Sequence, residues 1–143
     1  MNDGFVKAAA ISTRVTVADP ESNCEEVCGG ILKAASLGAK IMVFPELCLT
    51  GYTCGDLFYH DVLIDEARQA LSRIKEYTKT VDAIIFVGCP VNVKGALYNC
   101  AVAINRGKII GVVPKSYLPE YNEFYEKRQF TEAPTQPEYI VLC

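Results

Sequence analysis

The chain has 143 residues, half of them hydrophobic, with 14 basic and 17 acidic side chains and a net charge of −3. That size fits a single domain with a sizeable core, the ordinary charge content argues against disorder, and without a basic surplus nucleic-acid binding has no support. Apolar stretches run to about ten residues or fewer, too short to span a bilayer, and Met1-Asn2-Asp3-Gly4 carries an acid and no basic n-region, so no signal peptide is expected.

In chain order, Phe5 to Ile11 reads as a short strand followed by a polar loop. Asp19-Pro20 then reads as an N-cap with proline at the first helical position. Val27, Ile31, Ala34 and Ala35 recur at helical spacing, and Gly38 is a C-terminal stop. Gly29-Gly30 inside that helix costs roughly 1 kcal/mol each, so packing must hold the helix or bend it there. Lys40 to Phe44 is the next strand, and Asp61 to Thr80 is the clearest helix, with Leu63, Ala67, Ala70, Leu71, Ile74 and Tyr77 on one stripe.

Ala83 to Cys89 is a continuous apolar strand, and Leu97 to Ile104 follows a turn at Lys94-Gly95. Asn105-Arg106-Gly107-Lys108 is a hairpin turn leading into Ile109 to Val113. Strands alternating with helices, then adjacent strands, imply an α/β sheet with mixed pairing. Ala133 to Pro137 is a loop, and Tyr139 to Leu142 reads as a strand cut off as it begins. That ending suggests a chain that continues in the natural protein, or one that completes its core with another copy.

Seven cysteines, an odd number in no disulfide-like framework, suit a reducing cytosol. Cys24 and Cys28 share a helix face and Cys48 and Cys54 share a loop, but no CxxC pair occurs and His60 is the only histidine. Buried thiols are therefore the better reading than zinc or redox chemistry, and no metal site is expected.

Two residues carry the functional reading. Glu46 closes the apolar run Ile41 to Phe44, and Lys115 closes the run Ile109 to Pro114. Each sits where a buried strand gives way to a loop, where side chains can meet in a shared pocket. Taken alone, Glu46 is more often a solvated loop residue or helix cap than a functional group, and Lys115 more often a snorkelling surface lysine.

The flanks add a resemblance. Phe44-Pro45-Glu46-Leu47 with Thr50-Gly51-Tyr52 and Gly55-Asp56-Leu57, and Pro114-Lys115-Ser116-Tyr117-Leu118-Pro119 continuing through Tyr121-Asn122-Glu123-Phe124 to Phe130, resemble the glutamine-hydrolysing amidase domain of NAD synthetases, a nitrilase-superfamily fold. The resemblance covers the chain from its first strand to about Gln136. It implies a four-layer αββα sandwich of which this chain supplies about the first half: a mixed sheet flanked by helices.

It also implies roles. Glu46 would be a general base with its pKa raised by burial. Lys115 would stay charged beside it and stabilise the oxyanion. A cysteine nucleophile would form the thioester. Glu123 matches a second glutamate that holds the lysine and substrate, and Tyr52 and Tyr121 match positions near bound glutamine. On the residues alone, Glu123 is equally an exposed loop acid and the tyrosines are packing residues.

Cys143, the only cysteine after Lys115, lacks the turn and acidic neighbour that such a nucleophile has, so the chain alone is expected to be inactive. ATP and magnesium would belong to a synthetase domain elsewhere in a parent protein; no cofactor is expected here, since no phosphate-binding loop is present. The implied setting is cytoplasmic, with glutamine as substrate and the rest of the same protein as partner. The alternatives are a stand-alone amidase, or a non-catalytic truncated module with an assembly role. An apolar face from Ile84, Phe86, Val102, Ile104 and Ile110 would lack cover, which points to a homo-oligomer.

Overall fold

A computed structural model describes residues 4–142; Cys143 and the first three residues, on which the nucleophile and signal-peptide readings fall, lie outside the described residues. Five strands form one sheet in the order β1-β2-β3-β4-β5: β1 (Ala8–Ala10), β2 (Ile41–Val43), β3 (Ile84–Val93), β4 (Ala96–Asn105) and β5 (Lys108–Pro114). The first three pair in parallel and the last three antiparallel, the mixed pairing expected from helical crossovers followed by hairpins.

Both hairpin turns place two residues in left-handed backbone, Lys94-Gly95 at φ 53° and 86° and Arg106-Gly107 at φ 46° and 75°. That conformation matches the twist of the paired strands.

Helix α1 (Pro20–Ser36) starts as the sequence indicates: Asp19 Oδ1 accepts the Ser22 N–H at 3.1 Å, with Pro20 at the first position. It runs unbroken through the glycine pair. A Cβ on Gly30 would lie 3.0 Å from Ile11 Cγ2 and 3.1 Å from the Phe44 ring, so small size lets the helix approach the sheet there. Gly29 has no such neighbour.

Helix α2 (Asp61–Tyr77) buries Leu63, Ala67, Ala70, Leu71 and Ile74 as its stripe indicates, but Tyr77 points largely to solvent. Both helices cover one face of the sheet, where Val27, Ile31, Leu71 and Ile74 join Met42, Ile85, Val87, Val102 and Ile104 in one core. At about 25 cal/mol per Å² of apolar surface removed from water, this core supplies most of the stabilisation.

Two expectations change, and one element has no counterpart in the sequence pattern. Tyr139 to Leu142 is not a strand: it is an extended segment whose Ile140 and Leu142 touch the core while Tyr139 and Val141 are fully exposed. Val102 and Ile104 belong to the covered face, because strand residues alternate sides. The open face instead carries Val43, Ile84 and Phe86, with Val113 at its edge strand. Finally, Tyr52–Tyr59 forms two 3₁₀ turns across a kink at Gly55, a region with no helical periodicity to read.

Candidate active site

After β2, Phe44 still donates its N–H to Phe86 O at 3.0 Å, and the chain then leaves the sheet through Pro45 and Glu46. It turns at Leu47, where φ is 49°, and passes directly over β3. A Cβ at Gly88 would lie 2.3 Å from Pro45 O and 2.4 Å from Leu47 N, so only glycine allows this turn to rest on the strand. Gly88 thus sets the position of Glu46. Its signal in the sequence is a glycine inside an otherwise apolar strand.

Lys115 follows β5, and its N–H donates to Asn99 O on β4 at 2.8 Å. Its Nζ donates to Glu46 Oε1 at 2.8 Å and to Glu126 Oε1 at 2.9 Å. Asn99 Nδ2 donates to Glu46 Oε1 at 2.5 Å, and the Tyr52 hydroxyl donates to Glu126 Oε1 at 2.7 Å. The site is a connected chain, Asn99–Glu46–Lys115–Glu126–Tyr52, in which one ammonium serves two carboxylates.

A second apolar cluster of Leu47, Cys54, Phe58, Leu63, Leu118 and Phe130 lies behind the network and joins the loops that carry it. Phe58 and Phe130 meet edge to face at 4.9 Å between ring centres. Arg128 pairs with Asp56 at 3.0 Å, and the Tyr59 hydroxyl donates to Arg128 O.

The structure brings Glu46 and Lys115 together and adds Tyr52 through Glu126. It does not bring Glu123 to Lys115. Glu123 is exposed, while Glu126 is 5% exposed and occupies the place against the lysine. The reason is local: Glu126 opens a 3₁₀ turn, donates its N–H to Pro119 O and accepts the Phe130 N–H at 2.8 Å, which rotates it inward. The preceding residues are irregular, with Asn122 at φ 53°, so spacing from Lys115 could not show which acid faces in. Tyr121 is 64% exposed, its ring edge-on to Phe124, which in turn meets Tyr52.

Burial also falls on a different carboxylate from the one expected. The Glu46 side chain is 43% exposed, whereas Glu126 Oε2 is buried with no hydrogen-bond partner. Burial pulls the Lys115 ammonium down, but its hydrogen bonds to Glu46 and Glu126 outweigh that and hold it above the ordinary lysine range. Desolvation, then the hydrogen bond to Glu126, pushes the Tyr52 phenol well up, which keeps it a donor.

Burial pushes the Cys48 thiol up to about 11 and the Cys100 thiol up to about 12, and raises Cys54 as well. These are packing thiols, poor sources of a thiolate nucleophile.

Glu46, Asn99 and Lys115 line an open cavity of about 290 Å³ with Val43, Phe86 and Val113. Cavities of about 990 and 830 Å³ lie beside β1 and under the C-terminal segment, along the two sheet edges, and contain none of the network. The chemistry therefore decides the site, not the volume. Among the described residues no group of three or more His, Cys, Asp or Glu side chains could hold a metal ion, and no helix is long and apolar enough to cross a membrane.

The model of the carbon-nitrogen hydrolase family matches residues 7–140. The chain belongs to that family. It is 41% identical over 126 residues to the glutamine-dependent NAD(+) synthetase of Mycobacterium tuberculosis, covering 88% of this chain and 19% of that protein. The carbon-nitrogen hydrolase chain described here thus spans about a fifth of the length of the curated relatives it matches. A solved glutamine-dependent NAD+ synthetase from Acinetobacter baumannii, in complex with ADP, superimposes with a TM-score of 0.85 at 26% identity, covering 96% of this chain and 26% of that one. An amidase from Nesterenkonia sp. shares the fold with a TM-score of 0.81 at 17% identity, over 99% of this chain and 53% of its own. The mixed five-stranded sheet with its helices is therefore a nitrilase-type α/β architecture.

Proposed function

We propose that the chain supplies the general base and the oxyanion-stabilising cation of a glutamine-hydrolysing domain in a glutamine-dependent NAD synthetase. The observation that carries this is the contact of Lys115 Nζ with Glu46 Oε1 at 2.8 Å at the rim of a cavity. Identity of 41% to a protein of that name supports the choice of glutamine over other amides.

In this reading a cysteine from outside the described residues is the nucleophile. Glu46 takes the thiol proton, and the thiolate attacks the amide carbon of glutamine. Lys115, kept protonated by its two carboxylate partners, stabilises the oxyanion. Collapse breaks the carbon–nitrogen bond, Glu46 returns its proton to the departing ammonia, and water hydrolyses the thioester. Glu126 and Tyr52 hold Lys115. Of the expected substrate-binding tyrosines, Tyr52 is thereby assigned to the network, and Tyr121 stands exposed beside Phe124.

The parent protein would pass ammonia to an ATP- and magnesium-using domain that amidates deamido-NAD, in the cytoplasm. The exposed face carrying Val43, Ile84 and Phe86 would receive the rest of the domain, or a second copy where that is missing.

Ammonia release from glutamine tests the reading. The chain alone should release none above background. The chain joined to the remainder of a carbon-nitrogen hydrolase domain should release it, and Glu46→Gln should abolish the release. Equal turnover of acetamide and glutamine would favour a stand-alone amidase instead.

A further inference from the structure

We propose that Asn99 is the positioning residue of the base: it commits Oε1 of Glu46 to a fixed anchor and leaves Oε2 as the oxygen that takes the proton. The inference rests on Glu46 being the general base, as proposed above.

Glu46 needs an anchor. It sits on a turn beyond the sheet with its side chain 43% exposed, and a glutamate in water samples many rotamers. Lys115 cannot hold it alone, because lysine is long and flexible and is shared with Glu126. Asn99 differs from both. It lies within β4, is 4% exposed, and has a short side chain with few conformations.

Its two polar ends serve the two halves of the pair. The side-chain Nδ2 donates to Glu46 Oε1 at 2.5 Å, and the main-chain carbonyl accepts the Lys115 N–H at 2.8 Å. One residue of a central strand therefore fixes the carboxylate of one partner and the backbone of the other.

The asymmetry within the carboxylate follows. Oε1 accepts from Asn99 and from Lys115, which fills its two in-plane lone pairs. Oε2 makes no hydrogen bond among the described residues and belongs to the side chain that lines the cavity. Residue type matters too. An arginine or lysine here would hold Glu46 but suppress its basicity, and an aspartate would repel it. A neutral amide holds the carboxylate with the least cost to its basicity.

NMR of the labelled chain with Asn99→Leu and Asn99→Asp tests this. Both variants keep the shape and the main-chain carbonyl, so the Lys115 amide should stay protected from exchange. In Asn99→Leu the Glu46 side-chain couplings should collapse to rotamer-averaged values, and the Glu46–Lys115 contact signal should fall severalfold. Unchanged couplings and contact would overturn the proposal.

Asn99→Asp should take up one extra proton between about pH 8 and pH 5, as paired carboxylates come to share it. Should Asn99→Leu fail to fold, this proton count decides, and no uptake overturns the proposal. In the joined domain, Asn99→Leu should lower kcat by about tenfold or more with KM little changed; a change in KM alone also overturns it. If Glu46 responds as expected but the joined domain with Asn99 intact hydrolyses no amide, the positioning of Glu46 stands and the glutaminase reading falls.

Discussion

The two faces of the sheet are built from strands of the same composition but carry different tasks. On the helix-covered face Met42, Ile85, Val87, Val102 and Ile104 are all fully buried, in one core with Val27, Ile31, Leu71 and Ile74 of the helices. On the other face Val43 and Ile84 are exposed and Phe86 is half-buried, and the Glu46–Lys115 pair stands at that face's edge. The closed face holds the chain together. The open face holds chemistry, because a site needs unfilled volume beside it and a core does not.

The sharpest way to break this comparison is to truncate both faces. Ile85→Ala or Ile31→Ala, each at a fully buried position, should cost about 2–5 kcal/mol in denaturant unfolding. Val113→Ala, 61% exposed, should cost less than about 0.5 kcal/mol. Comparable losses at the two positions would mean that the open face is covered in solution.

A second test places a core-sized penalty beneath the site. Gly88→Ala forces a methyl into Pro45 O, which backbone cannot yield cheaply. About 1–3 kcal/mol should be lost, and the Glu46–Lys115 contact should open, read as the loss of their through-space NMR signal. Retained contact with unchanged stability would show that the turn does not rest on β3.

The network itself gives the third. Lys115→Met leaves Glu126 buried without its cation and should cost roughly 2 kcal/mol. Glu126→Gln keeps an oxygen for Lys115 and Tyr52 and should cost less. The reverse order would show that Glu126 does not need the lysine.

The smallest effect concerns pH. The folded Lys115 titrates above its ordinary value of 10.5. A raised lysine contributes stability that is complete below that value and is lost as pH climbs through the folded value. Lys115→Met should therefore flatten the alkaline limb of a stability profile above pH 10.5 and leave the neutral region parallel to the parent. An unchanged alkaline limb would mean that the ammonium gains nothing from its partners.

Sequence by itself determined the α/β alternation, the Asp19-Pro20 helix start, the buried stripe of α2 from Leu63 to Ile74, the turn at Lys94-Gly95, the hairpin at Arg106-Gly107 and the pairing of Glu46 with Lys115 at strand ends. Each of these is governed by neighbours a few residues apart, through caps, side-chain periodicity and left-handed turn residues, or by a motif with fixed flanks. Tertiary structure alone decided the rest. Which face of β4 points to the helices assigned Val102 and Ile104 to the core. The 3₁₀ turn anchored on Pro119 and Phe130 brought Glu126, and not Glu123, to the lysine. Asn99 and Gly88 took their parts only when β4 and the turn after β2 came together across β3. Such assignments depend on contacts between segments far apart in the chain, where a shift of one residue turns a side chain to the opposite face, and local periodicity holds no record of that choice.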